Sequence, residues 1–308
     1  MKVGIIGGTG FVGSYIIDAL LEAGHVPRVL VRPGSEGKLV QAERCESVAG
    51  DVSSPVALER CLQGADAVIY LIGILREFPA RGITFEDSQY NGVERTVAAA
   101  QKQGVKHFVL MSANGVKPGG TRYQDSKYRA EACVKASGLE WTIFRPSVIF
   151  GDPRGKMEFC TQLQHELVKP PIPAPLFFAG LNVTQAGKFH MAPVHVKDVA
   201  TAFVTALVNP SANGQTYTLC GPDALSWKAI IQTLAEASGR SGKLMLPAPA
   251  DIIKLVAGVL DGHAWFPITR DQIVMLLEGN TCRDMSAWAA LQIQPQAFAL
   301  KNLGYLRE

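Results

Sequence analysis

The sequence predicts an α/β protein, a doubly wound, mostly parallel sheet followed by a smaller, mainly helical C-terminal part. Three observations predict it. An apolar run, Val3-Gly4-Ile5-Ile6, stops in a glycine cluster and restarts as the helix-like Tyr15 to Leu21. Apolar, β-rich segments then alternate with helical ones, as strands joined by crossover helices do. From Gly151 the texture changes to proline-rich and helical stretches. The chain accordingly divides into 1–150 and 151–308, with some later segments returning to the main sheet.

The glycine cluster Gly7-Gly8-Thr9-Gly10-Phe11-Val12-Gly13 fits G-x-x-G-x-x-G through Gly7, Gly10 and Gly13, and G-x-G-x-x-G through Gly8, Gly10 and Gly13. Both registers serve one end. One glycine makes a tight turn, a second lets the main chain touch a pyrophosphate, and a third packs helix on strand. The first-turn N–H groups of Phe11, Val12 and Gly13 and the positive end of the helix then face the phosphates. The motif opens the chain between a strand and a helix, where a dinucleotide site belongs.

Val26 to Arg32 reads as the second strand, whose end separates the two nicotinamide cofactors. A carboxylate there suits the ribose hydroxyls of NAD(H), and an arginine suits the added phosphate of NADP(H). Arg32 stands at that point, Ser35 offers a hydroxyl, Lys38 adds charge, and no acid precedes Glu36. NADP(H) is favoured and NAD(H) is the alternative. Ser47 to Asp51 fits a third strand, with Asp51 and Val52 placed to flank the adenine. Pro55 to Gln63 is a short helix with proline near its start. Ala65 to Ile74 is a strand covered on both faces, with Gly73 at its end for close backbone approach. Thr84 to Gln103 reads as one long helix closed by Gly104, and Lys106 to Met111 as the fifth strand, ending at Ser112.

The next helix carries Tyr123-Gln124-Asp125-Ser126-Lys127. Residues four apart share a helical face, so phenol and ammonium reach one cleft. A free phenol titrates at about 10, and a neighbouring ammonium is expected to lower that value. Tyr123 would then exchange the proton while hydride moves between a carbonyl carbon and nicotinamide. Lys127 would also hold the ribose, and Ser112 would bond the substrate oxygen. Leu139 to Arg145 is the sixth strand, and Pro146 leads from it toward the nicotinamide end.

Pro170 to Pro175 cannot be helix or interior strand. With Leu176, Phe177 and Phe178 it reads either as an apolar flap beside the site or as a packed connector. His190 and His195 read as structural, not as a metal site. Val199 to Val208 is a helix, Gln215 to Cys220 a strand, and Ser226 caps a helix through Leu234. Lys243 to Leu246 is a short strand. The remainder, Ala250 to Leu260, Thr269 to Glu278 and Asp284 to Leu291, is mostly helical. An apolar stripe over Ile252 to Leu260, beside Trp265 and Phe266, fits core packing, a partner protein or a membrane surface.

Composition excludes several classes. Hydrophobic content of 47% with 19% charge describes a globular chain. A net charge of +3 without a dense basic block argues against nucleic acid. Six scattered cysteines, Cys45, Cys61, Cys133, Cys160, Cys220 and Cys282, read as thiols in a reducing compartment and give no metal site. No apolar run reaches the roughly 18 residues that span a bilayer, and no signal peptide is apparent, so the expected address is cytoplasmic.

GGTGFVG, Asp51-Val52, Ser112, the Tyr123/Lys127 pair and Phe144-Arg145-Pro146-Ser147 together resemble the extended or atypical short-chain dehydrogenase/reductases. YLIGILRE, HFVLMSANGV, YQDSKYRAE, FRPSVIFG and APVHVKDVA resemble the branch holding the NAD(P)-binding accessory subunit of respiratory complex I and its bacterial relatives. The resemblance covers about the first two thirds of the chain. It implies a Rossmann fold, NADP(H) and Ser112, Tyr123 and Lys127 as a catalytic triad acting on a small carbonyl or hydroxyl substrate. It equally implies a non-catalytic accessory or assembly role, with contact to a respiratory complex or peripherally to the inner membrane. Sugar epimerases and dehydratases usually carry a glycine near the position of Glu94, so a nucleotide-sugar substrate is disfavoured.

Overall fold

Val3, Ile5 and Ile6 have no exposed surface. The computed structural model, which describes residues 1–260 and 269–307, places them in an interior strand of a seven-stranded sheet. In chain order the first elements are β1 (Lys2–Ile6), α1 (Phe11–Glu22), β2 (Val26–Val31), β3 (Glu46–Ala49), α2 (Pro55–Leu62) and β4 (Ala67–Tyr70). There follow α3 (Gly92–Gln103), β5 (His107–Met111), α4 (Arg122–Lys135) and β6 (Glu140–Pro146). The later elements are β7 (Ile149–Phe150), α5 (Phe159–Leu163), β8 (Ala174–Phe178), β9 (His190–Met191), β10 (Val194–His195), α6 (Val196–Val208) and β11 (Gln215–Leu219). Last come β12 (Leu225–Ser226), α7 (Trp227–Ala237), β13 (Met245–Pro249), α8 (Ala250–Leu260), α9 (Arg270–Glu278) and α10 (Ser286–Ala290).

The main sheet has the order β11-β6-β5-β4-β1-β2-β3 and every pairing in it is parallel. All four residues of β4 are buried, because helices cover both faces of such a sheet. The helices start where local chemistry allows. Ser54 accepts a hydrogen bond from the Ala57 N–H ahead of Pro55, and Thr121 with Gln124 forms a capping box on α4. Gly104, at φ +69°, ends α3.

The chain folds into two compact units. The first comprises Met1–Pro146, Val196–Leu219 and Met285–Gln294, and the second Ser147–His195, Cys220–Asp284 and Pro295–Glu308. The first contains the whole seven-stranded sheet. Within it Phe144 packs on Phe203 of α6 and Tyr217 of β11, with ring centroids 4.6 and 5.8 Å apart. The second is built on three two-stranded ribbons, β10 with β7, β12 with β9 and β13 with β8. Its core includes Phe150, Trp227, Ile230, Ile231 and Leu234.

Four expectations change. The strand expected over Ala65 to Ile74 is regular over Ala67–Tyr70, with backbone bonds continuing to Asp66 and Leu71. The helix expected from Thr84 opens as a π-helical turn, Glu86–Asn91. At that turn the Tyr70 hydroxyl donates to the Ser88 carbonyl at 2.6 Å and occupies the space a side chain at Gly92 would need. Of the two readings of 170–178, the flap gives way to the packed connector over Ala174–Phe178. Ala174–Phe178 is a strand with Leu176, Phe177 and Phe178 buried, and Trp227 Nε1 donates to the Pro175 carbonyl at 3.0 Å. A two-stranded ribbon needs no N–H from proline on its free side.

The cysteines supply the fourth correction. Cys220 and Cys282, 62 residues apart, form a disulfide, so the six are not all thiols, and cysteine usage no longer argues for a reducing compartment. Tertiary structure makes the pair. Asn280 donates its backbone N–H to His190 and accepts from Ala192, while Gly221 donates to the Ala192 carbonyl, and the two cysteines flank the same short segment.

Ile252 and Leu255 of the apolar stripe are exposed, whereas Trp265 and Phe266 lie outside the described residues. Among the described residues no group of three His, Cys, Asp or Glu side chains could hold a metal, and no helix is long and apolar enough to cross a membrane.

Candidate functional site

Parallel pairing brings the C-terminal ends of the strands to one edge, and the sequence-predicted residues follow those ends. Gly7 follows β1, Arg32 follows β2, Asp51 and Val52 lie just past β3, Gly73 past β4, Ser112 follows β5, and Pro146 closes β6. Strand order reverses between β1 and β4, the point at which such sheets open a ligand crevice.

The glycine corner is built for close approach. Gly7 has φ +95°, and a Cβ there would lie 3.2 Å from the Ile72 backbone nitrogen. A Cβ on Gly8 would meet Val29 at 2.7 Å, and one on Gly13 would meet backbone of Gly7 and Gly8 at 2.7 Å. Both glycine registers are therefore used, for packing. Gly10 is the N-cap of α1 and offers no side-chain cap, and no acidic side chain lies in the first turn. The N–H groups of Phe11, Val12 and Gly13 have no partner among the described residues. Three free donors at the positive end of a helix can accept a diphosphate. Gly13→Ala is expected to cost roughly 1–3 kcal/mol by overpacking against rigid backbone and to abolish nucleotide-induced thermal stabilisation, as differential scanning fluorimetry would measure.

Arg32 is exposed and its guanidinium has no partner among the described residues. Ser35 beside it is buried, and Lys38 is exposed. Asp51 accepts the Ser53 N–H at 2.9 Å and so fixes the turn that carries buried Val52. Gly73 abuts the Lys127 ammonium, which a Cβ would approach to 3.3 Å.

Tyr123 and Lys127 lie on one face of α4, and their electrostatics differ from expectation. Tyr123 is half-buried, edge-on to Phe85 at 5.7 Å, and loss of solvent pushes its phenol up to about 12. The expected lowering by Lys127 is overturned because desolvation dominates. Burial likewise lowers Lys127 to about 8, while the charge on Glu131 opposes that fall. Its ammonium donates to the Met111 carbonyl at 2.9 Å and lies 3.5 Å from that of Ile72.

Ser112 also departs from its expected part. Its hydroxyl donates to Glu131 Oε1 at 2.5 Å, so that proton is not directed at a substrate oxygen. Glu131 is buried and held by Arg145 through two bonds of 2.7 and 2.5 Å. Pro146 is buried, and its carbonyl accepts the Asn114 N–H at 2.8 Å. Sequence reasoning passes over Glu131, although it continues the spacing of Tyr123 and Lys127 by four residues. It misses Glu77 as well. That carboxylate accepts the Phe85 N–H at 2.7 Å and pairs with Arg122 at 2.7 Å, anchoring the ring that shields Tyr123.

A parallel doubly wound sheet with an uncapped glycine corner at its switch point defines a dinucleotide-binding protein of the Rossmann type. The chain belongs to the NAD(P)H-binding family, whose profile matches residues 7–172. It is 27% identical to the mitochondrial NADH-ubiquinone oxidoreductase 40 kDa subunit of Neurospora crassa, across 97% of this chain and 74% of that one. It is 28% identical to a ceramide reductase of Caulobacter vibrioides, across 87% of this chain and 79% of that one. The structure of UDP-glucose 4-epimerase from Thermus thermophilus in complex with NAD superposes with a TM-score of 0.74 at 19% identity, covering 99% and 97% of the two chains. That likeness concerns the fold.

Proposed function

We propose that the protein is an NADPH-dependent reductase that delivers hydride to a small carbonyl-type substrate, with Tyr123 as the proton donor. The observation that carries this reading is the placement of Tyr123 and Lys127 four residues apart on one face of α4, with the Lys127 ammonium beside Gly73 at the strand ends. The Tyr123 phenol, pushed up by burial, is protonated at neutral pH and can give its proton to an oxygen that gains charge. The N–H groups of Phe11, Val12 and Gly13 bind the diphosphate, Arg32 with Ser35 takes the added phosphate, and Asp51 and Val52 flank the adenine. Lys127 reaches the ribose beside Gly73, and Pro146 lines the nicotinamide end. When bound, NADPH supplies the hydride. Tyr123 protonates the oxygen that gains negative charge, and solvent restores its proton. Similarity to a ceramide reductase supports this direction of reaction.

A second reading is favoured by one observation: the Ser112 proton is committed to Glu131. In that reading NADP(H) is a structural ligand of an accessory or assembly protein, as the similarity to a respiratory-complex subunit suggests.

Following NADPH absorbance with aldehydes, ketones and quinones, alongside nucleotide thermal shifts, separates the two. Consumption of NADPH supports the reductase, stabilisation without consumption supports the accessory role, and neither result would remove both. Arg32→Ala is expected to weaken NADPH by about 10- to 100-fold, the loss of a charge-assisted contact, with NADH unchanged. Equal weakening of both nucleotides in calorimetric titrations would contradict the assignment of Arg32.

A further inference from the structure

Three ionisable side chains stand at successive four-residue steps along α4: Tyr123, Lys127 and Glu131. Residues so spaced share one helical face. Lys127 and Glu131 are both deeply buried, at 4% and 1% exposure, and a charge in such a place survives only with partners. Lys127 finds carbonyl oxygens at Met111 and Ile72, and these solvate its charge without neutralising it. Glu131 finds Arg145 on β6 and the Ser112 hydroxyl at the end of β5. Ser112 adjoins Met111, so carboxylate and ammonium grip the same strand end from one helix.

We propose that Glu131 is a positioning residue, which governs the charge on Lys127 and turns the Ser112 hydroxyl inward at the strand ends. The inference rests on the assignment of Lys127 to the nucleotide site, and it goes beyond the roles of Ser112, Tyr123 and Lys127 themselves.

The groups around Lys127 decide the sign. Strand β4 and the segment after it bring Tyr70, the Ile72 carbonyl and Gly73, β5 brings the Met111 carbonyl and Ser112, and the π-helical turn brings the Gln89 amide. Its own helix brings Tyr123 and Glu131. Both phenols are held protonated by burial, which leaves Glu131 as the ionised group favouring the ammonium. That carboxylate is shared with Arg145 and, at 3.8 Å, with Lys135. Removing its charge takes away that favourable interaction and so disfavours the ammonium. Removing Arg145 instead leaves the carboxylate in place, so the ammonium is favoured as much as before or more.

The test titrates the Lys127 13Cε resonance in 13C-lysine protein without nucleotide, assigned with Lys127→Arg. The wild type is expected to titrate at about 8. Glu131→Gln is expected to lower that midpoint by about one pH unit, and Arg145→Gln to hold or raise it. Paired thermal shifts with NADPH across the same pH range should lose stabilisation at correspondingly lower pH in E131Q. An unchanged Lys127 midpoint in E131Q overturns the proposal, as does a fall in R145Q, since a merely structural ion pair would respond alike to loss of either partner. If E131Q does not fold, the direction of the R145Q shift alone decides. A Lys127 midpoint that moves as expected in a protein that never binds NADPH would keep the coupling of Glu131 to Lys127 and overturn its link to the nucleotide, together with the functional reading.

Discussion

Tyr123→Phe is expected to lower kcat for NADPH-dependent reduction by about 10²- to 10⁴-fold, the usual contribution of a positioned acid, with NADPH affinity little changed. The substitution keeps the ring that packs edge-on to Phe85 and deletes only the hydroxyl, so the fold around α4 is retained. The sign of the pH dependence follows from Tyr123 and Lys127. Tyr123, pushed up to about 12, holds its proton throughout the neutral range and contributes no titration there. Lys127, lowered to about 8, loses its charge as pH rises through that value, so activity falls on the alkaline side. Steady-state rates from pH 6 to 9 would show that limb. Turnover in Y123F equal to that of the wild type would exclude Tyr123 as the proton donor.

Opening the Cys220–Cys282 bridge is expected to produce the largest change in stability. The bridge spans 62 residues, and in the chain-entropy picture a loop of that size restrains the unfolded ensemble by about 4 kcal/mol. All of that loop belongs to the second unit, so the loss should fall there and spare the seven-stranded sheet. Denaturation of the Cys220→Ser/Cys282→Ser double variant, compared with the wild type under oxidising and reducing conditions, would measure it. Reductant should bring the wild type to the stability of the variant. If reductant changes nothing and mass spectrometry finds both thiols free, the bridge does not form in solution.

The main sheet was legible because its signals are local. The apolar run of β1, the glycines after it and proline at the start of α2 each act within a few residues, and so did the placement of Gly7, Arg32 and Ser112 at strand ends. What escaped depends on partners distant in sequence. Tyr123 packs edge-on to Phe85, whose N–H Glu77 accepts, and the spacing of Tyr123 and Lys127 carries no trace of that ring. Ser112 is claimed by Glu131 only once β5 and α4 have packed. The π-helical turn holds a Tyr70 hydroxyl bond to Ser88, and the disulfide joins segments brought together by pairing of 190–192 with 280. In each case a tertiary contact overrode a reading that was sound at the level of neighbouring residues.

The chain passes repeatedly between its two units, and this limits how the protein can be cut or shuffled. A fragment stopping near residue 150 would lack α6 and the edge strand β11, leaving Phe144 stripped of Phe203 and Tyr217 and β6 open to pairing with other molecules. Such a truncation should precipitate instead of yielding a free nucleotide-binding module. By the same logic, gene recombination can trade the second unit among relatives only by exchanging several separate stretches at once, so the two units are expected to have diverged together as one inherited piece.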